Sequence, residues 1–497
     1  LTSLFGRHGD MLQHINFKFV LKVVGSLCLS EILFLLICLG ISVYYKGSDL
    51  LPFIYTIGVM AAVGSCFYLL GRRARMNNAS RREGMLTVTL TWLILSLVGM
   101  LPFVFGGYTP SVTDAFFETM SGFTTTGATI FPEVESLPRG ILFWRSIMQW
   151  QGGIGIVVFT VGLLPMLGAG SAVSQIYNAE TTGIIHDRFL PRIRQVARRL
   201  CGVYILGTAV LILLLWLGPM GLFDAICHAF TCISTGGYST RNGSIAEFQS
   251  SYIEYVTSFF MFYGSLSITL QYFLLVGKPG KLIRDEEMRT FVVLTLCAVL
   301  ITTLWLLYRG EYPSLEENFR HALFQTYSII STTGYTTADY FSWGPFFWSI
   351  AIVMMIVCGC AGSTTGGIKI SRLVVLMKNL RNEFKKRTHP NLMVPVRING
   401  ITITGQLVSQ VLAFAFLYFL LIFCSIILLT LDGMDFVAAV GSAVSAMGNV
   451  GPGFGDYFGN FSQAGDFSKW ILSFLMLTGR LEVFTVISIL HPAFWRR

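Results

Sequence analysis

The chain has 497 residues, of which 54% are hydrophobic and 12% charged, about half the charge content of an ordinary soluble domain. That balance excludes a soluble globular protein and marks an integral membrane protein. The net charge of +9 then has to be explained by where the basic residues fall.

Apolar windows lie near 22–44, 53–71, 85–106, 141–168, 200–218, 252–276, 290–308, 345–375, 402–430 and 469–491, each about as long as, or longer than, the ~20 residues that a helix needs to cross a bilayer. Ten crossings leave no room for a large soluble domain. The first window has no small-residue cleavage site and reads as a membrane helix rather than a leader. The chain begins at Leu1 without Met, so we expect residues to precede it.

The connections alternate in charge. Arg72, Arg73, Arg75, Arg81 and Arg82 fill one; Arg188, Arg192, Arg194, Arg198 and Arg199 fill the next but one; Lys278, Lys281, Arg284 and Arg289, then Lys378, Arg381, Lys385, Lys386 and Arg387, follow. The connections between them hold Glu133, Glu135, Glu316, Glu317 and Asp456. The positive-inside rule places the basic set in the cytoplasm, with both termini, marked by Arg7, Lys18 and Lys22 and by Arg496 and Arg497. The charge is thus accounted for by topology and contact with anionic membrane lipid. Because it segregates by side instead of forming one face, no nucleic-acid partner is expected.

Cys28, Cys66, Cys297 and Cys424 fall inside predicted spans, where a thiol packs as a small apolar group. Cys358 and Cys360 have no His or acid beside them in sequence, so no metal site is expected. The chain carries no G-x-S-x-G, no H-E-x-x-H and no G-x-G-x-x-G after a strand, so neither an enzyme nor an organic cofactor is expected. His228 and His321 read as outer-face polar residues.

An internal repeat carries more information. Four polar glycine segments interrupt the apolar pattern: SGFTTTGATI (121–130), TCISTGGYST (231–240), SIISTTGYTT (328–337) and SAMGNVGPGF (445–454). In each a glycine stands six residues after a Ser or Thr: Ser121 to Gly127, Thr231 to Gly237, Ser328 to Gly334, Ser445 to Gly451. A segment with helical character precedes each, and Asp114, Asp224, Asn318 and Asp435 near the starts are expected to cap it. These segments are too short to span and should be re-entrant. The predicted unit is span, short helix, glycine loop, span, repeated four times after two extra N-terminal helices, in an all-α polytopic membrane protein.

Irregular backbone at membrane depth is tolerated only where it is buried in protein or lines a watery cavity. Four such loops around one axis would make a ring of carbonyl oxygens able to replace the water shell of an alkali cation. The expected ring residues are Thr125, Thr126 and Gly127; Thr235, Gly236 and Gly237; Thr332, Thr333 and Gly334; and Asn449, Val450 and Gly451. The fourth loop lacks the hydroxyls of the others, so the ring should be only pseudo-symmetric. The short helices would aim their negative C-terminal ends at the pore centre, which suits a cation.

The segments TTTGAT, STGGYS, STTGYTTAD and GNVGPGFG, with WRSIMQWQGGIGI (144–156) and GSTTGGIK (362–369), resemble those of the Trk/Ktr/HKT superfamily of cation transporters, over essentially the whole chain. The resemblance implies potassium uptake at the cytoplasmic (inner) membrane, with potassium as the transported ion. It also implies a homodimer in which each subunit has its own pore, and a cytosolic nucleotide-binding regulatory partner. Members that prefer sodium often carry Ser at the first filter glycine; all four glycines are present here, which points to potassium. Proton- or sodium-coupled symport and a pore that also passes sodium stay open as alternatives. The corresponding division is 1–80 for the N-terminal helix pair, then pore units at 81–185, 186–280, 281–390 and 391–497.

The run CGCAGSTTGGIKISR (358–372) breaks the predicted span after the third loop. A phosphate-binding P-loop fails, because Ile368 stands where the motif needs lysine. The run resembles the family's intramembrane gating loop, with Gly362, Ser363, Thr364, Thr365, Gly366, Gly367 and Lys369 as gating residues; a structural kink is the alternative. Arg480 lies mid-span beside Glu482, where a charge costs at least ~2.5–3.5 kcal/mol and usually faces protein or water. The resemblance implies that it projects into the pore beneath the filter; the alternative is an internal ion pair with an acid on a neighbouring helix.

Overall fold

The computed structural model of the chain describes residues 15–73, 80–162, 189–392 and 394–496. Arg7, Arg75, Arg188, Arg497, the end of the 141–168 window and the expected boundary at 185–186 lie outside the described residues.

Among the described residues, six helices are long and apolar enough to cross a membrane: Phe17–Tyr45, Leu50–Gly71, Arg82–Gly106, Ala197–Leu217, Glu286–Arg309 and Gly405–Leu431. Their apolar windows are only 22–50% buried. On the last of them Phe416, Phe423, Ile427 and Leu431 are exposed, as side chains that meet lipid tails would be. The first two helices lie against each other through small residues. A Cβ on Gly25 would come within 2.5 Å of the Tyr68 backbone nitrogen, so the close approach requires glycine.

After this pair the predicted unit appears four times. The short helices are Val112–Phe123, Leu222–Ile233, Leu315–Ile330 and Phe436–Gly448, with side chains largely buried toward their C-terminal ends. Their caps differ from expectation. Only Asp435 caps its helix, accepting the Val437 N–H at 3.0 Å. Ser111 and Ser314 cap the first and third helices, and the second begins at Gly221 without a side-chain cap. The carboxylates expected at those caps are used between elements instead. Asp114 pairs with Lys469 at 2.6 Å, joining the fourth unit back to the first, and Asp224 pairs with Arg241 at 3.0 Å.

The second spans of the units are less regular than their windows suggest. The 345–375 window breaks as expected, into Pro345–Ile356 and, after an irregular segment, Ile370–Thr388. The 252–276 and 469–491 windows break too. Ser251–Ser265 and Ile268–Leu275 meet at 113°, and Asp466–Arg480 and Phe484–Leu490 meet at 119°. In the first case the helix gives way because foreign backbone enters it: Ser265 O accepts the Cys360 N–H at 2.9 Å, and Ile268 N donates to Gly362 O at 3.1 Å. In the second, Glu482 takes φ +56°, a left-handed value that helix cannot continue. A two-residue hairpin, Arg397–Ile398 with Ile401–Thr402, turns through Asn399-Gly400, both at positive φ, as a tight hairpin prefers.

Candidate functional site

The four glycine loops share one backbone path, and it starts as a helix end. The N–H groups of Thr125, Thr235, Thr332 and Asn449 reach back three residues to Gly122, Cys232, Ile329 and Ala446. Those of Thr126, Gly236, Thr333 and Val450 reach back five, to Ser121, Thr231, Ser328 and Ser445, at 2.7–2.9 Å. This pair of bonds is the Schellman ending, whose left-handed position normally belongs to glycine. Here Thr125, Thr235 and Thr332 hold it at φ +50°, +55° and +57°, a conformation that a β-branched residue adopts only under strain. Asn449, at +56°, tolerates it better.

Two residues further on, Gly127, Gly237, Gly334 and Gly451 have φ of +86°, +75°, +79° and +112°. Each fits against the next loop. A Cβ on Gly127 would lie 2.1 Å from Gly236 O, one on Gly237 1.7 Å from Thr333 O, one on Gly334 2.1 Å from Val450 O, and one on Gly451 2.6 Å from Thr126 O. The contacts run first to second to third to fourth and back to the first, so the loops close a ring. All four glycines line one cavity of about 270 Å³. The charged residues lining it, Arg145 and Arg241, are matched by carboxylates, Glu118 at 2.8 Å and Asp224 at 3.0 Å. Among the residues lining the cavity, no charge is therefore left unpaired.

Behind the ring lie residues that the sequence did not single out for a role. Buried Glu118 accepts the Ile130 N–H at 2.9 Å and pairs with buried Arg145, which also donates to Ser239 O at 3.2 Å. One ion pair thus ties the first loop to the second. Gln149 spans the second loop, donating to Gly236 O at 2.7 Å and accepting from Tyr238 N at 3.1 Å. The ring is pseudo-symmetric, as expected, yet part of the difference sits in this second loop. In the fourth loop Asn449 donates to Thr126 Oγ1 at 3.0 Å and Met476 O at 2.9 Å. His228 is not on the outer face: it is 1% exposed, between Asp224 O at 2.8 Å and Ser239 Oγ at 2.9 Å. His321 is half-buried, 3.1 Å from Thr337 Oγ1.

The irregular segment in the 345–375 window lies against this ring. Gly366 N donates to Thr332 Oγ1 at 3.1 Å, and a Cβ on Gly366 would lie 2.1 Å from Gly448 O. Thr364 Oγ1 donates to Ile233 O at 3.2 Å, and Ser363 Oγ meets Thr365 Oγ1 at 2.7 Å. Gly362 and Gly367 bend the chain at φ +73° and +61°. Lys369 folds back on Thr365, donating to its carbonyl and to its hydroxyl. Arg480, 3% exposed, donates to Thr364 O at 2.5 Å and Gly152 O at 3.1 Å. The alternative for Arg480, an ion pair with an acid on a neighbouring helix, is not met among the described residues: its partners are the two carbonyls, and the nearby Glu482 pairs with Arg372 at 2.5 Å. Glu287 was missed by sequence reasoning: its Oε1 accepts from Ala361 N at 2.6 Å and Ser371 N at 3.0 Å, clipping together the two ends of the segment.

A family model described as TrkH, cation transport protein, matches residues 55–494. The Trk system potassium uptake protein TrkH of Salmonella typhimurium is 36% identical over 484 residues, covering 97% of this chain and 100% of that protein. The Trk system potassium uptake protein TrkI of Halomonas elongata is 34% identical over 484 residues, covering 96% and 97%. The crystal structure of the potassium transporter TrkH from Vibrio parahaemolyticus superposes with a TM-score of 0.89 at 33% identity, covering 97% of this chain and 100% of that one.

Proposed function

This chain belongs to the TrkH family of cation transport proteins, and on that premise we propose that it takes up potassium through a channel-like pore whose selectivity filter is the four-loop ring. The observation that carries the reading is the convergence of Gly127, Gly237, Gly334 and Gly451 on one cavity, each pressed against a carbonyl of the next loop. Oxygens held this closely can stand in for the water shell of a dehydrated ion of one size. The helix-end bonds and the contacts between loops hold the ring in this shape against the strain at the threonines, so it does not relax to suit a smaller ion. The segment from Gly362 to Lys369 is the gate under the filter, and Arg480 fastens it while adding a positive charge to the ion path.

The wider assembly is part of the same proposal. The protein sits in the inner membrane with both termini in the cytoplasm, acts as a homodimer, and is regulated by a cytosolic nucleotide-binding subunit. The divisions at 81–185, 186–280, 281–390 and 391–497 are its four pore units. Support comes from the charge pattern and from relatives named as parts of a Trk system.

Potassium and sodium flux in proteoliposomes tests the central claim, for the wild type and for Gly334→Ser. A Cβ there would sit 2.1 Å from Val450 O, so the serine must open the ring. The wild type should prefer potassium and the variant should lose that preference while still passing ions. A variant with unchanged selectivity would sink the filter assignment.

A further inference from the structure

A second cavity, of about 880 Å³, lies where two membrane segments end, between the turn after Ile268–Leu275 and the start of Glu286–Arg309. Lys278, Lys281, Arg284 and Arg289 line it, together with Ser267 and Ser371. The acids on the same wall are already engaged. Asp285 accepts from Met288 N at 2.9 Å and from Asn399 Nδ2 at 2.8 Å, Glu286 pairs with Lys378, and Glu287 holds Ala361 N and Ser371 N. The cations are freer. Among the described residues Lys278 and Arg284 meet no carboxylate, Lys281 rests over the Phe273 ring at 4.3 Å, and Arg289 reaches only Arg284 O at 2.8 Å. The cavity is therefore electropositive and rich in donors.

Beside these cations the chain exposes apolar side chains that water would not favour. Leu274, Leu275 and Val276 are 41%, 50% and 48% exposed, and Ile283, within the basic stretch, is 71% exposed. Cations and exposed aliphatic groups on one short bent segment at the end of a span form the pattern of an interfacial lipid contact. A soluble phosphate would use the cations and leave the aliphatic face uncovered. We propose that this cavity binds the headgroup of an anionic phospholipid, its acyl chains lying along Leu274, Leu275, Val276 and Ile283, and that occupancy steadies the Glu287 clip on the 361–371 segment. The coupling is direct, because Glu287 and Ser371 both line the cavity.

Native mass spectrometry of the full chain with phosphatidylglycerol or phosphatidylcholine reads the binding, and hydrogen exchange at the Ala361 and Ser371 amides reads the coupling. The wild type should hold one phosphatidylglycerol per chain in preference to phosphatidylcholine. Lys278→Gln/Lys281→Gln/Arg284→Gln should bind it roughly a hundredfold more weakly, since each cation near a membrane surface is worth about fivefold. Lys385→Gln/Lys386→Gln/Arg387→Gln, on the other basic stretch, should bind like the wild type. Phosphatidylglycerol should also slow exchange at both amides several-fold in the wild type and not in the first variant. Equal binding by wild type and first variant would overturn the site. So would displacement of the lipid by millimolar inorganic phosphate, which would make the occupant a soluble anion. Exchange that ignores the lipid would overturn the coupling. A thermal melt of the first variant near that of the wild type shows that it is folded, and neither readout depends on ion flux.

Discussion

The tetrapeptide Ser-Thr-Thr-Gly occurs twice, at 331–334 in the third loop of the ring and at 363–366 in the segment beneath it, and the two copies fold differently. In both, the serine hydroxyl meets the hydroxyl of the second threonine at 2.7 Å. The backbones then part. In the ring, Thr332 and Gly334 are left-handed; below it, the left-handed residues are the flanking Gly362 and Gly367. The ring copy follows a helix whose last turn holds it, with Thr333 N on Ser328 O at 2.9 Å. The lower copy stands apart from its preceding helix, Pro345–Ile356, beyond irregular backbone; apart from local ties such as that of Ser363 to Cys360 O, its bonds run to distant groups, Thr332, Ile233 and Arg480. A segment braced by its own helix is rigid by construction. One braced by long-range bonds can be released by breaking a few of them, which is what a gate needs.

The largest expected effect breaks this contrast or confirms it with a single methyl group. Gly334→Ala and Gly366→Ala each place a Cβ 2.1 Å from a carbonyl oxygen, of Val450 and Gly448 respectively. Only Gly334 also has a left-handed φ, so its alanine is doubly opposed and should lower potassium over sodium preference by at least about tenfold. Gly366→Ala should push the lower segment off the ring, raising potassium flux while selectivity stays. Equal losses of selectivity in the two variants would mean that the copies form one rigid body.

Next in size is Arg480. Its alanine variant removes a positive charge and the bond to Thr364 O, and potassium flux should rise on the order of tenfold. Arg480→Lys keeps the charge with fewer donors and should fall between. If flux is unchanged while thermal stability drops, the guanidinium is only a structural tie.

Glu287→Ala should act more weakly on flux and more strongly on stability. It leaves the Ala361 and Ser371 N–H groups without their acceptor, at about 1–3 kcal/mol for each donor left unpaired. The melting temperature should fall and resting flux should rise a few-fold, whereas Glu287→Gln, which keeps an oxygen, should do much less. A glutamine variant as damaged as the alanine one would show that the charge, rather than the acceptor, matters.

These residues also mark how far the sequence could be read. The ring was legible because its order is local: a glycine six residues after Ser121, Thr231, Ser328 or Ser445 reflects hydrogen bonds that span five residues. The breaks at 266–267 and 481–483 were not legible. One is created by backbone from Cys360 and Gly362, more than ninety residues away, and the other by a left-handed Glu482 with no glycine to announce it. Glu287 looked like an ordinary first-turn acid, and its partners lie 74 and 84 residues further along the chain. Local periodicity carries no trace of such a pairing.

The smallest effect tests the point where the two copies touch. Thr332 Oγ1 accepts the Gly366 N–H at 3.1 Å. Thr332→Val keeps the β-branch, and with it the strain at φ +57°, but removes the acceptor. The loss is about 1 kcal/mol for a neutral hydrogen bond, which converts to roughly a fivefold shift toward the released segment. Potassium flux should therefore rise a few-fold while the ratio of potassium to sodium stays at the wild-type value, because Thr333 N still binds Ser328 O and Gly334 still fits against Val450 O. A fall in that ratio would show that the ring takes its shape from the segment beneath it.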